Sequence, residues 1–366
     1  MNRFLYYFII LNMIVNMVVE VPKILIDFSH RGAITSIALA LIIGVALNWI
    51  LIKLFQPFPA RSLPELLQLY TPGWLNKLIL LYLSVNWFVA GLLSISTFTL
   101  LLKRFLTPEM SSYIIVSSFV FLVSYGILMK SKSLLNSMEI IMILNIPIVL
   151  FLIAKVYLDQ TMDWDYVKVA LTYVNNWPNY SAVTAAIYPM IGIVNIVIFN
   201  RYLISKVNMR LKHLLIIFLV GGLILFTTYF IPLGYIGFDV SENIQYPWIL
   251  TSDSVRLKYG LIERFIFIFL LIFLSLSFLN ITIHWHVAQK LLEAVYRTKK
   301  LVIKGKDFNP YLWILLFWGI TFIVAGRMTE YQLFLLGKYF FNQQPLFAIV
   351  LIGSLLLIKR GAKKHE

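Results

Sequence analysis

Apolar residues in this chain come in long runs separated by short polar gaps. Ten such runs can be drawn: 4–26, 33–55, 75–105, 111–129, 138–158, 183–200, 213–238, 261–289, 310–326 and 345–358. The runs are continuously apolar, which predicts α-helices and excludes the alternating pattern of a membrane β-barrel. A bilayer core takes roughly 20 residues of helix. Inside hydrocarbon each backbone N–H and C=O must be satisfied within its own segment, so each run predicts a transmembrane helix. The expected fold is an all-α integral membrane protein of ten spans. No gap is long or polar enough for a separate soluble domain, so residues 1–366 read as one polytopic membrane domain ending in a tail at 359–366. The tenth run is short, and 331–344 is expected to add an interfacial or tilted portion to it.

The lengths of the runs suggest a repeat. Runs 3 and 8 are both long; a helix of about 30 residues reaches about 45 Å and has to tilt or protrude. Each follows a proline-containing gap, 56–73 with Pro57, Pro59, Pro64 and Pro72, and 239–254 with Pro247. Runs 1 and 6 each open a half, and each carries helix-interrupting residues. Five is an odd number, so a second half (about 183–358) enters the membrane from the side opposite to the first (about 1–158). That predicts a five-plus-five inverted repeat of the transporter kind, with discontinuous helices 1 and 6 and a midplane site. The halves share no visible sequence similarity, so lengths and interruptions carry this expectation.

Charge orients the chain. With the N-terminus inside, the inner segments hold Arg3; Lys53, Arg61 and Lys77; Lys130 and Lys132; Arg201, Lys206, Arg210 and Lys212; Lys290, Arg297, Lys299, Lys300, Lys304 and Lys306; and Lys359, Arg360, Lys363 and Lys364, which is 20 of the 31 basic residues. The outer gaps hold two apiece, and Arg264 lies at a span mouth. The positive-inside rule then predicts both termini inside, in agreement with an even number of spans. Topology also explains the net charge of +15, so no nucleic-acid partner is implied. The 60% hydrophobic content is far above soluble usage. The absence of cysteine excludes disulfides, thiol chemistry and Cys-ligated metals. Arg3 followed by an apolar run resembles a signal sequence, but Glu20-Val21-Pro22 follows instead of a small-residue cleavage site, so this segment is expected to remain as the first span.

Intramembrane polar residues are the candidates for chemistry. In span 1, Asn12, Asn16 and Glu20 are four apart and share a face. Asn12 reads as interhelical glue, Asn16 as glue or pocket, and Glu20 as a coupling or gating group near the outer side. Pro22 removes a backbone donor and frees a carbonyl nearby. In span 6, Pro189 and Gly192, followed by Asn195 and Asn200, are expected to break the helix. Its half-helix ends would then face an anion or a cation, which makes Pro189, Gly192 and Asn195 candidate ligand-binding residues. Asn86 in span 3 and Asn280 in span 8 are candidate ligand contacts, because an unpaired amide in lipid is costly. The neighbouring hydroxyl and small residues (Ser94, Ser96, Thr97, Ser275, Ser277, Thr282) read as close packing. Adjacent Glu263 and Arg264 point to different faces and read as interfacial anchors or an outer closing contact. His284 and His286, two apart on a helix, cannot share a metal. No nucleotide-binding, zinc-protease or nucleophile-elbow motif occurs, so neither an enzyme nor a cofactor is expected.

The stretch Tyr246-Pro247-Trp248 followed by Leu261-Ile262-Glu263-Arg264-Phe265 and a long apolar run resembles the B subunits of bacterial spore-germination nutrient receptors. Length, ten spans and inner termini agree with that family, which belongs to the amino acid–polyamine–organocation transporter superfamily. The resemblance implies a receptor subunit of the spore inner membrane that senses a small nutrient, often an amino acid. It also implies work alongside a membrane-embedded A subunit and a lipoprotein C subunit. Two positions depart from the family. Relatives often have glycine in the span 1 break, where this chain reads Asn16-Met17-Val18-Val19. They often carry an acidic residue two places after the span 6 glycine, where this chain has Val194. A secondary transporter for amino acids or related cations, proton-coupled through Glu20, is the alternative.

Overall fold

A computed structural model of the chain describes residues 2–203, 209–257, 263–296, 302–303 and 306–365. Lys206, Lys258, Leu261, Ile262, Arg297, Lys299, Lys300 and Lys304, which carry part of the charge pattern and of the quoted motif, lie outside the described residues. The described chain is helical apart from a two-residue antiparallel pairing of Val302–Ile303 with Lys306–Asp307.

The first half runs α1 (Arg3–Val15), α2 (Glu20–Asp27), α3 (Ala33–Phe55), α4 (Leu63–Tyr70), α5 (Gly73–Phe105), α6 (Ser112–Ile127) and α7 (Ser131–Leu158). After α8 (Trp164–Leu171) come α9 (Tyr180–Ile187), a 3-10 stretch over Tyr188–Asn195, α10 (Ile196–Phe199), α11 (Leu211–Ile236), α12 (Pro247–Ser254) and α13 (Phe265–Val295). The chain ends with α14 (Asn309–Ala325), α15 (Glu330–Asn342) and α16 (Gln344–His365). Seven segments are long and apolar enough to cross a bilayer, eight if α1 and α2 are taken as one bent span; α6 and α14 are shorter apolar helices. Together they occupy the ten positions expected from the hydropathy pattern. The last segment includes 331–344, as the sequence suggests. It runs over Glu330–Lys363, with α15 and α16 meeting at Gln343, because the Thr329–Gln332 capping box starts a helix well before the apolar run.

Both expected interruptions are present. Span 1 is bent by 58° between α1 and α2, across Asn16–Val19. Span 6 loses α geometry over Tyr188–Asn195, where Ile191 has φ −95° and ψ 18°. The two interrupted spans pack directly on one another, and the long helices α5 and α13 pair along their length. Three short helices, α4, α8 and α12, lie in the gaps between the apolar runs. Two of them fall at equivalent places. α4 and α12 are each eight residues long with proline in the first turn, and each precedes one of the long helices. A five-plus-five inverted repeat produces these correspondences.

The α5–α13 contact is close because Gly91 has no side chain. A Cβ there would lie 2.3 Å from Trp285 Nε1. The indole instead stacks on Phe88, with ring centres 5.6 Å apart, and donates to the Phe88 carbonyl at 3.1 Å. Ser84 Oγ donates to the Ala288 carbonyl at 2.9 Å one turn away. Small residues replace the hydrophobic effect as the packing device between helices in lipid. This pair forms the wall against which α1 and the span 6 break are held.

Candidate functional site

The two breaks differ in what becomes of the backbone groups they release. In span 6 the released carbonyls are taken up by the protein. Asn12 Nδ2 donates to the Tyr188 carbonyl at 2.6 Å and to the Pro189 carbonyl at 3.1 Å. Asn48 Nδ2, from α3, donates to the Met190 carbonyl at 2.9 Å. Asn195 Nδ2 donates to the Gly192 carbonyl at 3.1 Å, while its Oδ1 accepts from Trp87 Nε1 at 2.8 Å. Gly192 lets this strand of backbone touch α1: a Cβ would come 2.2 Å from the Phe8 carbonyl oxygen.

Span 1 is the opposite case. After Val15 the chain turns so that the Asn16 N–H bonds Asn12 and Ile14, and the Met17 N–H bonds Ile14. Among the described residues no backbone or side-chain donor reaches the carbonyls of Met13, Val15, Asn16, Met17 or Val18. These oxygens sit at the C-terminal, electronegative end of α1. Leu11–Val15 and Met17–Val19 are buried, whereas Asn16 and Glu20 retain accessible surface. Asn16 Nδ2 donates back to the Asn12 carbonyl at 2.8 Å and to Asn12 Oδ1 at 3.2 Å.

Glu20 opens α2. Its carboxylate accepts from the Thr97 hydroxyl on α5. Gly337 of α15 faces it, since a Cβ on that glycine would stand 3.3 Å from Glu20 Cγ. Tyr188 lies within electrostatic reach, its ring wedged against Phe340 and Phe341 at 5.3 and 5.0 Å. Among the described residues no cation pairs with Glu20. Lys23, one turn on, is turned away: its Nζ bonds Asp27 and the Glu242 carbonyl, each at 2.7 Å.

Other predicted residues fall at varying distances from this centre. Asn280 is buried on α13, which packs on both breaks; its carbonyl accepts from His284 Nδ1 at 2.7 Å, and its side-chain amide has no hydrogen bond among the described residues. Asn86 turns toward α16, where Gln344 Nε2 stands 3.5 Å from its Oδ1. Asn200 holds the α3–α4 loop by donating to the Phe58 and Arg61 carbonyls. His286 bonds Ser131 and the Ile127 carbonyl, and His284 turns to its own helix, so the two do not converge. Glu263 and Arg264 are exposed beside a short backbone bridge between Arg256 and Arg264. Among the described residues they touch neither break. A cavity of about 360 Å³ lies behind span 6 against α3 and α16. Its walls are mostly apolar, including Ile43, Leu47, Ile191, Val194 and Phe347, with Tyr180, Thr184 and Gln344 the polar-bearing exceptions, so it suits a polar nutrient poorly.

A different set of residues meets where the end of α5 faces the start of α15. Arg104 at the end of α5 pairs with Glu330 at the start of α15 at 2.5 Å and lies over the Tyr246 ring at 5.4 Å. Tyr246 packs on Phe105 and Phe334. Burial, then the nearby Glu330 charge, push its hydroxyl above the usual tyrosine range, so it stays neutral. The ion pair is half-exposed, and Arg104→Gln is expected to change stability by less than about 1 kcal/mol. If the cluster closes the route to Glu20, a cysteine placed by Asn16→Cys in this cysteine-free chain will react faster with a membrane-impermeant thiol reagent in the Arg104→Gln background. An unchanged rate would remove the closing role.

Fold and site define an all-helical integral membrane protein on a transporter-like scaffold, with an unsatisfied break in span 1 and a satisfied one in span 6. The chain belongs to the spore germination protein family of spore permeases, whose pattern matches residues 2–332. No individually curated protein matches it. The family is a receptor- or permease-type family and not an enzyme family, and it gives this chain a germination-related membrane role.

Proposed function

We propose that this protein is the nutrient-sensing B subunit of a germinant receptor. A small nutrient, an amino acid or a related molecule, binds at the span 1 break between spans 1, 3, 6 and 8. Binding shifts the population toward an occluded state. The shift alters contacts with A- and C-type subunits in the spore inner membrane, both termini of this chain being inside. One observation carries the reading: a run of unpaired carbonyls in the membrane interior beside Asn16 and Glu20. Buried polar groups without partners are costly, and their retention at the meeting point of broken helices is the mark of a site completed by a ligand.

The test is a strain lacking this protein, scored on single nutrients, with the wild-type gene and the Asn280→Ala gene returned. Loss of response to one nutrient, restored by the wild-type gene, is expected. The Asn280→Ala gene is expected to restore it only at higher nutrient concentration, by about 10-fold if one hydrogen bond of roughly 1.4 kcal/mol is lost. Unchanged concentration dependence at normal protein level removes Asn280 from the pocket. A second reading, secondary transport of an amino acid or cation, is favoured by the lone carboxylate of Glu20 in a span. Net uptake of a nutrient by proteoliposomes holding this protein alone would select it.

A further inference from the structure

We propose that the cavity behind span 6 holds an acyl chain of a bilayer phospholipid, seated against the span 6 break. The proposal is separate from the nutrient pocket and stands without it. Three stripes of side chains shape the cavity. α3 lends Ile43, Leu47 and Leu51, spaced four apart and so on one face. α16 lends Gln344, Ala348 and Ile352 at the same spacing. The ends of each stripe, 43 to 51 and 344 to 352, are separated by about 12 Å of helix. Span 6 supplies the third stripe with Val183, Ile187, Ile191 and Val194. The result is a slot running along α3 and α16. All three walls belong to segments long and apolar enough to cross a bilayer.

The walls select an apolar occupant. An apolar cavity of roughly 150 Å³ stays dry and takes up benzene; this one, at about 360 Å³, is more than twice as large. The polar side chains in its wall are engaged by the protein. Tyr180 Oη donates to the Asn342 carbonyl at 2.6 Å, Thr184 Oγ1 to Asn342 Oδ1 at 3.0 Å, and Gln344 Nε2 to the Phe340 carbonyl at 3.1 Å. Left empty, the slot would forfeit the dispersion contacts of the atoms that line it. The wall residue Ile349 is 68% exposed and nearby Leu346 54%, so the slot faces the outside of the bundle. Between spans, the medium outside the bundle is hydrocarbon, which enters an apolar slot without losing hydration. The inner wall is the break itself. Ile191 carries its non-helical backbone, and the next residue, Gly192, touches α1 at Phe8. A chain in the slot therefore braces the broken backbone at Ile191 while α1 holds it at Gly192.

The experiment places the purified full-length protein in nanodiscs made with a phospholipid whose acyl chain carries a diazirine. After irradiation the adducts are mapped by peptide mass spectrometry. Lipid that only surrounds the bundle labels exposed residues such as Leu219 on α11. A chain in the slot also labels Ile187, Ile191 and Val194, which are buried. Adducts on these three, at a yield comparable with that at Leu219, are expected. Ala348→Phe, whose ring takes up part of the slot, should lose these adducts and keep those at Leu219. Where that variant fails to accumulate, Val183→Phe fills the slot from the span 6 wall and should give the same loss. Adducts confined to exposed residues such as Leu219 and Ile349 overturn the proposal. Labelling of the three buried residues that persists unchanged in the filled variants overturns it as well.

Discussion

Gly192→Ala is expected to be strongly destabilising. The added carbon would stand 2.2 Å from the Phe8 carbonyl oxygen, 2.9 Å from the Phe8 carbonyl carbon and 2.7 Å from Asn12 Cβ. Two of those three atoms are backbone, so no rotamer change relieves the clash. Either α1 or the 3-10 stretch of span 6 has to retreat, and retreat pulls the Tyr188 and Pro189 carbonyls away from Asn12. Overpacking typically costs about 1–3 kcal/mol, and a backbone-to-backbone collision belongs at the upper end or beyond. Lower abundance in the membrane and a lowered thermal midpoint in detergent are the readouts. Gly319→Ala on α14, where nothing lies within 4 Å of the new carbon, is the control and should leave the midpoint unchanged or slightly raised. Equal behaviour of the two variants would mean that the close approach of spans 1 and 6 is not needed.

Asn12→Leu attacks the same contact by chemistry instead of volume. Asn12 is 3% exposed, and its amide is the side-chain donor to two carbonyls of the broken span. Interhelical hydrogen bonds in membranes average only about 0.6 kcal/mol, because the separated helices find other partners. The larger figure applies here. Tyr188 and Pro189 lie where span 6 has left α geometry, so their carbonyls have no regular helix to fall back on. A buried acceptor left unsatisfied costs about 1–3 kcal/mol, and two are at stake. The expected loss of about 2–4 kcal/mol would be read from the thermal midpoint, with Asn145→Leu as control. Asn145 donates to Ile141 in its own helix, a bond the helix does not require. A midpoint for Asn12→Leu no lower than that of the control would show that the two carbonyls are satisfied in another way.

These two variants also mark how far the site was legible. The sequence placed Asn12 as helix glue, and its bonds to span 6 fit that role. It placed Pro189, Gly192 and Asn195 as ligand contacts. In the structure the Pro189 carbonyl is bonded to Asn12, Gly192 is a contact point for α1, and Asn195 is bonded to Trp87 and Gly192. Asn48, which bonds Met190, and Thr97, which bonds Glu20, were missed as partners of the breaks. Asn48 was visible as a lone amide in run 33–55. Thr97 looked like any small packing residue, and nothing local set it apart. The short helix α4 carries a local signal, Ser62 and Glu65 forming a capping box around Pro64.

The sequence by itself determined the number and course of the apolar segments, the two long helices, and the two spans that would break. Each follows from local properties: hydropathy summed over about 20 residues, and prolines or amides within a few positions of one another. Only the tertiary structure decided which broken span is left unsatisfied. The donors that quiet span 6 come from Asn12 and Asn48, 176 and 142 positions away, and the groups around Glu20 come from α5, span 6 and α15. In a bilayer, where water cannot satisfy a backbone carbonyl, the partner is whichever side chain the packing of helices brings within 3 Å. That choice is long-range, so the unpaired carbonyls of Met13, Val15, Asn16, Met17 and Val18 emerge only when the ten segments are assembled.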